Sequence, residues 1–418
     1  MATTDTLTDV LRAVRDALDG GPAYAPQPRL SDGALPPGTA LVLRTSGSTG
    51  NPREVALSAR ALRASAAATH ERLGGPGRWL LVLPPTHVAG VQVINRSVVA
   101  GTEARVGTAE RFTPAGFAAV AEDFLADGAR TYVSVVPTQL HRLVTAADDG
   151  APAGLDALAR FDAVLVGGAA TPAPLLARAR AAGVRAVTTY GMSETSGGCV
   201  YDGVALAGVR VRTADAGTDA GVDADAGRDL AGVVELSGPV LAEGYVDDPA
   251  ATAAAFRTDP DGTRWFRTSD LGRLTGDRLA VLGRADDVIL SGGVNVAPAA
   301  VEDVVTEHLA GRGTPGEACV VGVPDPEWGQ AVVAVLALPG RTSSAAGGAG
   351  SIALADGGEL LGELRTAVGQ RLGAPAAPRR VYVTAALPTR GPGKVDRRAV
   401  RDAVVRAERD PAREPVRP

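Results

Sequence analysis

Lysine is almost missing from this chain: of its 42 basic residues one, Lys394, is lysine and all the others are arginine. Alanine, glycine and arginine are abundant, a bias most simply explained by a GC-rich coding sequence, so the retained lysine is the residue that needs a reason. Cysteine is nearly as scarce. Cys199 and Cys319 are the only two, which excludes a disulfide framework and a cysteine-based zinc site. Aromatic residues make up only 4%. No apolar run reaches the roughly 18 to 20 residues needed to cross a bilayer. The opening "MATTDTLTDVLRAVRDALDG" has no basic stretch followed by an apolar one, so it does not read as a signal peptide. A net charge of −5 offers no basic surface for nucleic acid. The expectation is a cytoplasmic protein with neither membrane nor nucleic acid as a partner.

What is present is enough for two or three domains: 418 residues, 45% hydrophobic and 21% charged. Near the N-terminus Leu7, Val10, Leu11, Val14 and Leu18 share one side of a helix. Short apolar strands then alternate with Ala-rich helical runs. "WLLVLPP" (79–85) precedes a run from Val88 to Ala100, "TYVSVVP" (131–137) one from Thr138 to Ala147, and "FDAVLVGG" (161–168) one from Pro174 to Ala182, with "RAVTTYG" (185–191) last. This repetition predicts an α/β fold with mainly parallel sheets. From about 203 to 283 short strands and turns predict a β-rich subdomain, interrupted by a low-complexity loop at 213–229. A small α+β domain is expected over 284–405, with helices at 298–309 and 359–372, strands at 319–323, 332–337 and "RRVYVTAA", and a Gly/Ser/Ala insert at 340–358. Residues 1–283 would form the large domain and 406–418 a disordered tail.

Three stretches carry candidate chemistry. "RTSGSTGNPRE" follows the strand "TALVL" and holds Thr45, Ser46, Gly47, Ser48, Thr49, Gly50 and Arg53. Small hydroxyl residues and glycines let backbone N–H groups approach a polyanion; the other reading is a Ser/Gly-rich hairpin. "TTYGMSETSGG" stands at the C-terminal end of a predicted strand, the edge where parallel sheets bind ligands. There Glu194, flanked by Ser193 and Thr195, suits Mg²⁺, and Tyr190 beside Gly191 could stack on a base; the alternative is Ser193 capping a helix. Asp270 in "WFRTSDLGRL", with Arg284 and Asp286 in "GRADD", could hold ribose hydroxyls or be ordinary surface charge.

In this order, and with "LPTRGPGKVDRR" at the end, these motifs resemble the adenylate-forming superfamily of acyl-CoA synthetases, adenylation domains and luciferases over about residues 40 to 400. The resemblance implies a large N-terminal domain and a small mobile lid that meet at Asp286 as hinge. It implies ATP, Mg²⁺ and coenzyme A as cofactors, and Lys394 as the catalytic lysine. It implies nucleotide contacts from the phosphate loop, Gly168, Tyr190, Gly191, Ser193, Asp270 and Arg284, and coenzyme A contacts at the "SGG" turn of Ser291, Gly292 and Gly293. The physical reading agrees: lysine brings a compact charge on a slim stem, whereas arginine is a wide planar fork. Arg53, where the superfamily has lysine, can grip exposed phosphates bidentately.

"SETSGGCVYDG" and "LPPTHVAGVQVINRSVVAG" are similar to o-succinylbenzoate–CoA ligases of menaquinone synthesis. That likeness implies His87 lining the acyl site, Gly197 and Gly198 leaving room for an aryl group, and Arg96 meeting a second substrate carboxylate. A salt bridge from Arg96 to Glu103 or Glu110 is the structural alternative. Another aryl- or acyl-CoA ligase, an enzyme loading a carrier protein, a non-catalytic nucleotide-binding relative and a homodimer all stay open.

Overall fold

The computed structural model describes residues 7–45, 52–102, 104–107, 112–126, 128–214, 231–314, 316–338, 352–390 and 394–409. They pack as two compact units, one drawn from 1–171, 175–268 and 272–280, the other from 172–174, 269–271 and 281–418.

In the first unit the strands Arg105–Val106, Arg78–Leu81, Thr131–Val135, Ala163–Gly167 and Ala186–Met192 lie side by side in that order, every pair parallel. Side chains alternate between faces as the pleat requires. Trp79, Leu81, Tyr132 and Leu165 point into one core, whereas Leu80, Val133, Val135, Val164 and Val166 point into another. Both faces are therefore buried, which explains why these strands read as unbroken apolar runs. The helix Val88–Ala100 covers the first face and buries Val91, Val93 and Ile94 completely, each contributing about 1.5 to 3 kcal/mol. The helix Leu7–Leu18 reaches the same core through Val10, Val14 and Leu18.

After Met192 the sheet changes character. Gly197–Tyr201 runs back antiparallel to Ala186–Met192. The sheet then continues through Val204–Ala205, Arg278–Arg284, Arg264–Thr275, Ala231–Ser237 and Arg210–Ala214, the β-rich region expected from the sequence. A separate antiparallel sheet joins Thr39–Thr45, Arg53–Ser58 and Gly244–Tyr245.

The second unit is built on one sheet ordered Val294–Val296, Ile289–Ser291, Gly329–Ala337, Arg380–Thr384 and Ala355–Asp356, with Glu317–Asp325 also paired to Gly329–Ala337. Helices Pro298–Gly311 and Gly358–Leu372 pack on one face through Val301, Val305, Leu364 and Val368. Helix Arg397–Arg409 packs on the other through Val400, Ala403 and Val404. This last helix was not expected, because its apolar stripe is only three residues in an arginine-rich stretch. Residues 406–409, assigned to a disordered tail, belong to it. The end of the expected insert is likewise ordered, as strand Ala355–Asp356 and the start of a helix at Gly358. Thr213 and Ala214, read as loop, complete a strand. The remainder of that loop (215–229) and of the insert (340–351), and the last nine residues of the tail, lie outside the described residues.

Glycine matters most where the sheet turns. A Cβ on Gly191 would stand 2.1 Å from the carbonyl oxygen of Gly197, whereas one on Gly362, in helix Gly358–Leu372, would meet nothing within 4 Å. Gly191→Ala should cost about 3 kcal/mol or more, because backbone must move. Gly362→Ala should be neutral or stabilise by about 0.5 to 1 kcal/mol. Urea denaturation of each variant checks both.

Candidate active site

The parallel strands have the order 2-1-3-4-5 when numbered along the chain, so the topology reverses between Arg78–Leu81 and Thr131–Val135. Ligands in such sheets bind beyond the C-terminal strand ends near that reversal. Residues from several candidate motifs sit at these ends. His87 directly precedes the helix Val88–Ala100, and Gly168, at φ 84°, directly follows Ala163–Gly167. Tyr190 and Gly191 lie at the end of Ala186–Met192.

Ser193–Thr195 form a single 3₁₀ turn, and no helix follows, so Ser193 is not a helix cap. Thr195 is fully buried, and its hydroxyl accepts the Met192 N–H at 3.0 Å and donates to the Gly197 carbonyl at 2.8 Å. It therefore braces the turn instead of facing a cation. Glu194 is 9% exposed, and its carboxylate accepts the Tyr245 phenol hydroxyl at 2.9 Å. Burial, then the Glu194 charge, hold the Tyr245 hydroxyl well above the ordinary tyrosine range, so it stays a donor. The Arg53 guanidinium lies 5.2 Å from the centre of the same ring and 3.6 Å from Asp248. Tyr245 thus joins the expected magnesium carboxylate to the cation beside the phosphate loop. Sequence reading missed it; the aromatic ring in "EGYVDDP", in a chain so poor in aromatics, was the available signal.

Thr45 pairs with Arg53 across the antiparallel strands Thr39–Thr45 and Arg53–Ser58. The loop is therefore carried by a hairpin, and Ser46, Gly47, Ser48, Thr49 and Gly50 lie outside the described residues. Among the described residues no three His, Cys, Asp or Glu side chains gather as a metal cage. A Mg²⁺ ion at Glu194 would take its remaining ligands from phosphate and water, as that ion commonly does.

Gly197 and Gly198 also answer a packing constraint. Gly197 adopts φ 87°, and a Cβ there would press on Gln92 at 3.1 Å; a Cβ on Gly198 would press on Thr189 at 3.1 Å and Tyr201 at 3.2 Å. Gly197 allows close packing of strand on helix, and Gly198 close packing against side chains of the paired strands. Cys199, behind them, is fully buried with its thiol pushed up to about 12 by burial, so it is inert.

Arg96 is 4% exposed. Its guanidinium lies over the Trp79 ring at 5.0 Å and donates to the Tyr201 hydroxyl at 3.3 Å. No ion pair joins it to a carboxylate among the described residues, and its Nε has no hydrogen-bond partner there. Glu103 and Glu110, the structural alternatives, lie outside the described residues.

In the second unit Arg284 lies 3.9 Å from Asp270 and 3.0 Å from Asp286, so the expected ribose carboxylate and the expected hinge residue meet one guanidinium. Gly292 (φ 57°) and Gly293 (φ 78°) turn the hairpin of Ile289–Ser291 and Val294–Val296, with Ser291 buried and the Gly292 N–H bonded to the Trp328 carbonyl at 2.9 Å. Lys394 is exposed and pairs with Arg390 in a short antiparallel hairpin. Three residues on, Arg397 bonds Glu302 and the Val320 carbonyl and lies 3.4 Å from Asp287. Burial opposes its charge, but Glu302 and Asp287 outweigh that and hold its pKa high.

The sequence profile described as "AMP-binding enzyme" matches residues 6–246, and that of the "AMP-binding enzyme C-terminal domain" matches residues 299–394. The chain belongs to the AMP-binding enzyme family. It is 42% identical over 370 residues to a probable 2-succinylbenzoate–CoA ligase of Mycobacterium tuberculosis (strain CDC 1551 / Oshkosh), covering 86% of this chain and 83% of that one. Among solved structures it is similar to o-succinylbenzoate coenzyme A synthetase of Bacillus subtilis. With the acyl-adenylate bound to that enzyme the TM-score is 0.67 at 27% identity, covering 87% of this chain and 69% of that one. With ATP and magnesium ion bound it is 0.66 at 27%, covering 86% and 69%. No described helix of this family member is long and apolar enough to cross a membrane.

Beside Arg96, His70 is 6% exposed and accepts a long hydrogen bond from the Trp79 indole at 3.4 Å. Burial, then the Arg96 charge, lower its pKa to about 4. An unfolded chain protonates near pH 6.5. The stability from neutral His70 is therefore complete above about pH 6.5 and declines as pH falls towards 4, by up to about 3 kcal/mol. Urea midpoints at pH 7 and pH 4.5 should differ more for the native protein than for His70→Gln.

Proposed function

We propose that this family member is an acid–CoA ligase that uses ATP and Mg²⁺ to activate 2-succinylbenzoate as an acyl-adenylate and passes the acyl group to coenzyme A. The observation that carries the substrate choice is Arg96. A guanidinium buried among Trp79, Tyr201 and His70, with no carboxylate beside it among the described residues, is costly unless an anion joins it. A substrate with a second carboxylate supplies that anion. The similarity to the M. tuberculosis and B. subtilis proteins points the same way.

In this reading the succinyl carboxylate attacks the α-phosphorus of ATP, and the bond to pyrophosphate breaks. Thr45 to Gly50 and Arg53 hold the β- and γ-phosphates, and Glu194, kept in place by Tyr245, is the protein ligand of Mg²⁺. Mg²⁺ supplies charge neutralisation on the phosphates. Tyr190, Gly191, Gly168 and Ser193 surround the adenine end, and Asp270 and Arg284 the ribose. Lys394 neutralises charge on the attacking and bridging oxygens. The thiolate of coenzyme A, passing the turn of Ser291, Gly292 and Gly293, then attacks the acyl carbonyl and AMP leaves. Between these steps the C-terminal unit turns about Asp286. His87 lines the acyl site; a carboxylate nucleophile needs no base at neutral pH.

Protein given ATP, 2-succinylbenzoate and coenzyme A should yield AMP, pyrophosphate and a thioester. Isotope exchange between ATP and pyrophosphate without a thioester would instead indicate transfer to a carrier protein, and ADP formation would sink the reading. Lys394→Ala should slow adenylation about 100- to 1,000-fold, the loss expected for one charge contact at a transition state. It should leave the reaction of presynthesised acyl-adenylate with coenzyme A near the native rate. Lys394→Arg should be nearly as slow in the first step.

Arg96→Ala should raise KM for 2-succinylbenzoate at least about tenfold and leave KM for ATP within about twofold, as measured by pyrophosphate exchange. An equal loss with a monocarboxylic aryl acid would assign Arg96 a structural role.

A further inference from the structure

One helical turn before Arg96, on the same side of helix Val88–Ala100, stands Gln92, which is 1% exposed. A Cβ built on Gly197, three residues beyond Glu194, would stand 3.1 Å from the Gln92 Cγ. The orientation of its amide is dictated from below. Asn95 Nδ2 donates to the backbone carbonyl of Leu62 at 2.9 Å, which can only accept, so the nitrogen of Asn95 must face it. The same Nδ2 donates to Gln92 Oε1, also at 2.9 Å. The carbonyl half of the Gln92 amide is thereby used, and the NH₂ half faces elsewhere. That Nε2 is buried and has no hydrogen-bond partner among the described residues. Asn95 Oδ1 and Arg96 Nε are also unpartnered there, so three orphaned polar atoms fall within five consecutive residues of one buried helix.

A buried donor left unmade is destabilising, and native proteins keep few of them without a use. An apolar side chain would fill the place at less cost. We infer that Gln92 is a specificity-determining residue whose Nε2 donates to an uncharged acceptor oxygen within the acyl group, while Arg96 meets the charged one. The ligand class is an aromatic dicarboxylic acid with an internal carbonyl. The inference rests on the ligase reading above and narrows it, since in 2-succinylbenzoate the internal carbonyl is the ketone that joins ring and chain. A site built to donate to an oxygen rejects the analogue lacking it, because the buried donor is then unpaired.

The test compares 2-succinylbenzoate with its ketone-free counterpart, 2-(3-carboxypropyl)benzoate, on the full chain. Pyrophosphate exchange gives kcat/KM for each acid, and calorimetry with the two matching non-reactive acyl-sulfamoyladenosines gives binding without turnover. The native protein should prefer the ketone in both measurements by about 10- to 100-fold. Gln92→Met should remove the preference by losing the ketone compound alone, with the ketone-free compound and ATP within about twofold. Gln92→Leu, which removes the donor without adding a charge one turn from Arg96, should lose it too and serves if the methionine variant does not fold. Absence of a preference in the native protein, or an equal fall for both acids in the variants, would overturn the inference. If neither acid exchanges, the ligase reading for this substrate fails separately. Gln92 is then judged on whichever aryl acids do exchange, and acceptance of carbonyl-free acids alone would also overturn it.

Discussion

The close approach of two backbone segments at Gly191 and Gly197 is the constraint on which the site depends. There the sheet stops adding parallel strands and folds back on itself, and Ser193–Thr195 fill the turn. Any side chain at Gly191 would collide with the returning strand. Thr195 closes the turn from inside, and the Ser196 hydroxyl donates to the Val240 carbonyl at 2.8 Å. Glu194 is consequently held by backbone on both sides, with Ala242 N–H donating to its carbonyl at 2.8 Å. In the proposed role of holding a hard cation a carboxylate needs such fixing, because the ion tolerates little error in ligand geometry.

The same turn brings a second layer of chemistry together. Tyr245 lies on a strand of the small sheet that also carries the phosphate loop, yet its hydroxyl reaches Glu194. One phenol therefore links the two motifs that sequence reading treated separately. It does so as a hydrogen-bond donor whose proton is secured by burial and by the carboxylate it serves. Behind the turn, helix Val88–Ala100 contributes polar residues where an ordinary core helix would be apolar. Arg96 in an aromatic surround and Gln92 with an orphaned amide are expensive features in a core otherwise built from Val, Leu and Ile. Most arginines elsewhere carry their charge at the surface, where a pair such as Arg53 with Asp248 is worth little.

In the C-terminal unit the single lysine stands on a two-stranded hairpin. The helix after it is anchored by Arg397, which bonds Glu302 on another helix and approaches Asp287, next to the proposed hinge residue. The lysine is exposed while its base is tied into the unit's interior. That arrangement suits the role proposed above, in which the charge enters a site and later leaves it without refolding.

Much of this was legible in one dimension. Short unbroken apolar runs with Ala-rich helical runs between them predicted the parallel sheet, because both signals come from local geometry. The same holds for helix Val88–Ala100, whose bounds match the expectation. The lone lysine, Glu194 and the stretch read as a phosphate loop stood out as candidates because the proposed chemistry asks for particular residue types at particular spacing. Tertiary structure alone decided what each glycine is for. Gly197 and Gly198 read in sequence as space for substrate, and the fold adds that a Cβ at either would press on Gln92, or on Thr189 and Tyr201. It alone revealed Tyr245, some fifty residues from its partner Glu194, and helix Arg397–Arg409, whose three-residue apolar stripe means little until a sheet face is there to cover it. The physical reason is common to all three. Periodicity and spacing are properties of neighbours along the chain, whereas burial, collision and hydrogen bonding depend on neighbours in space.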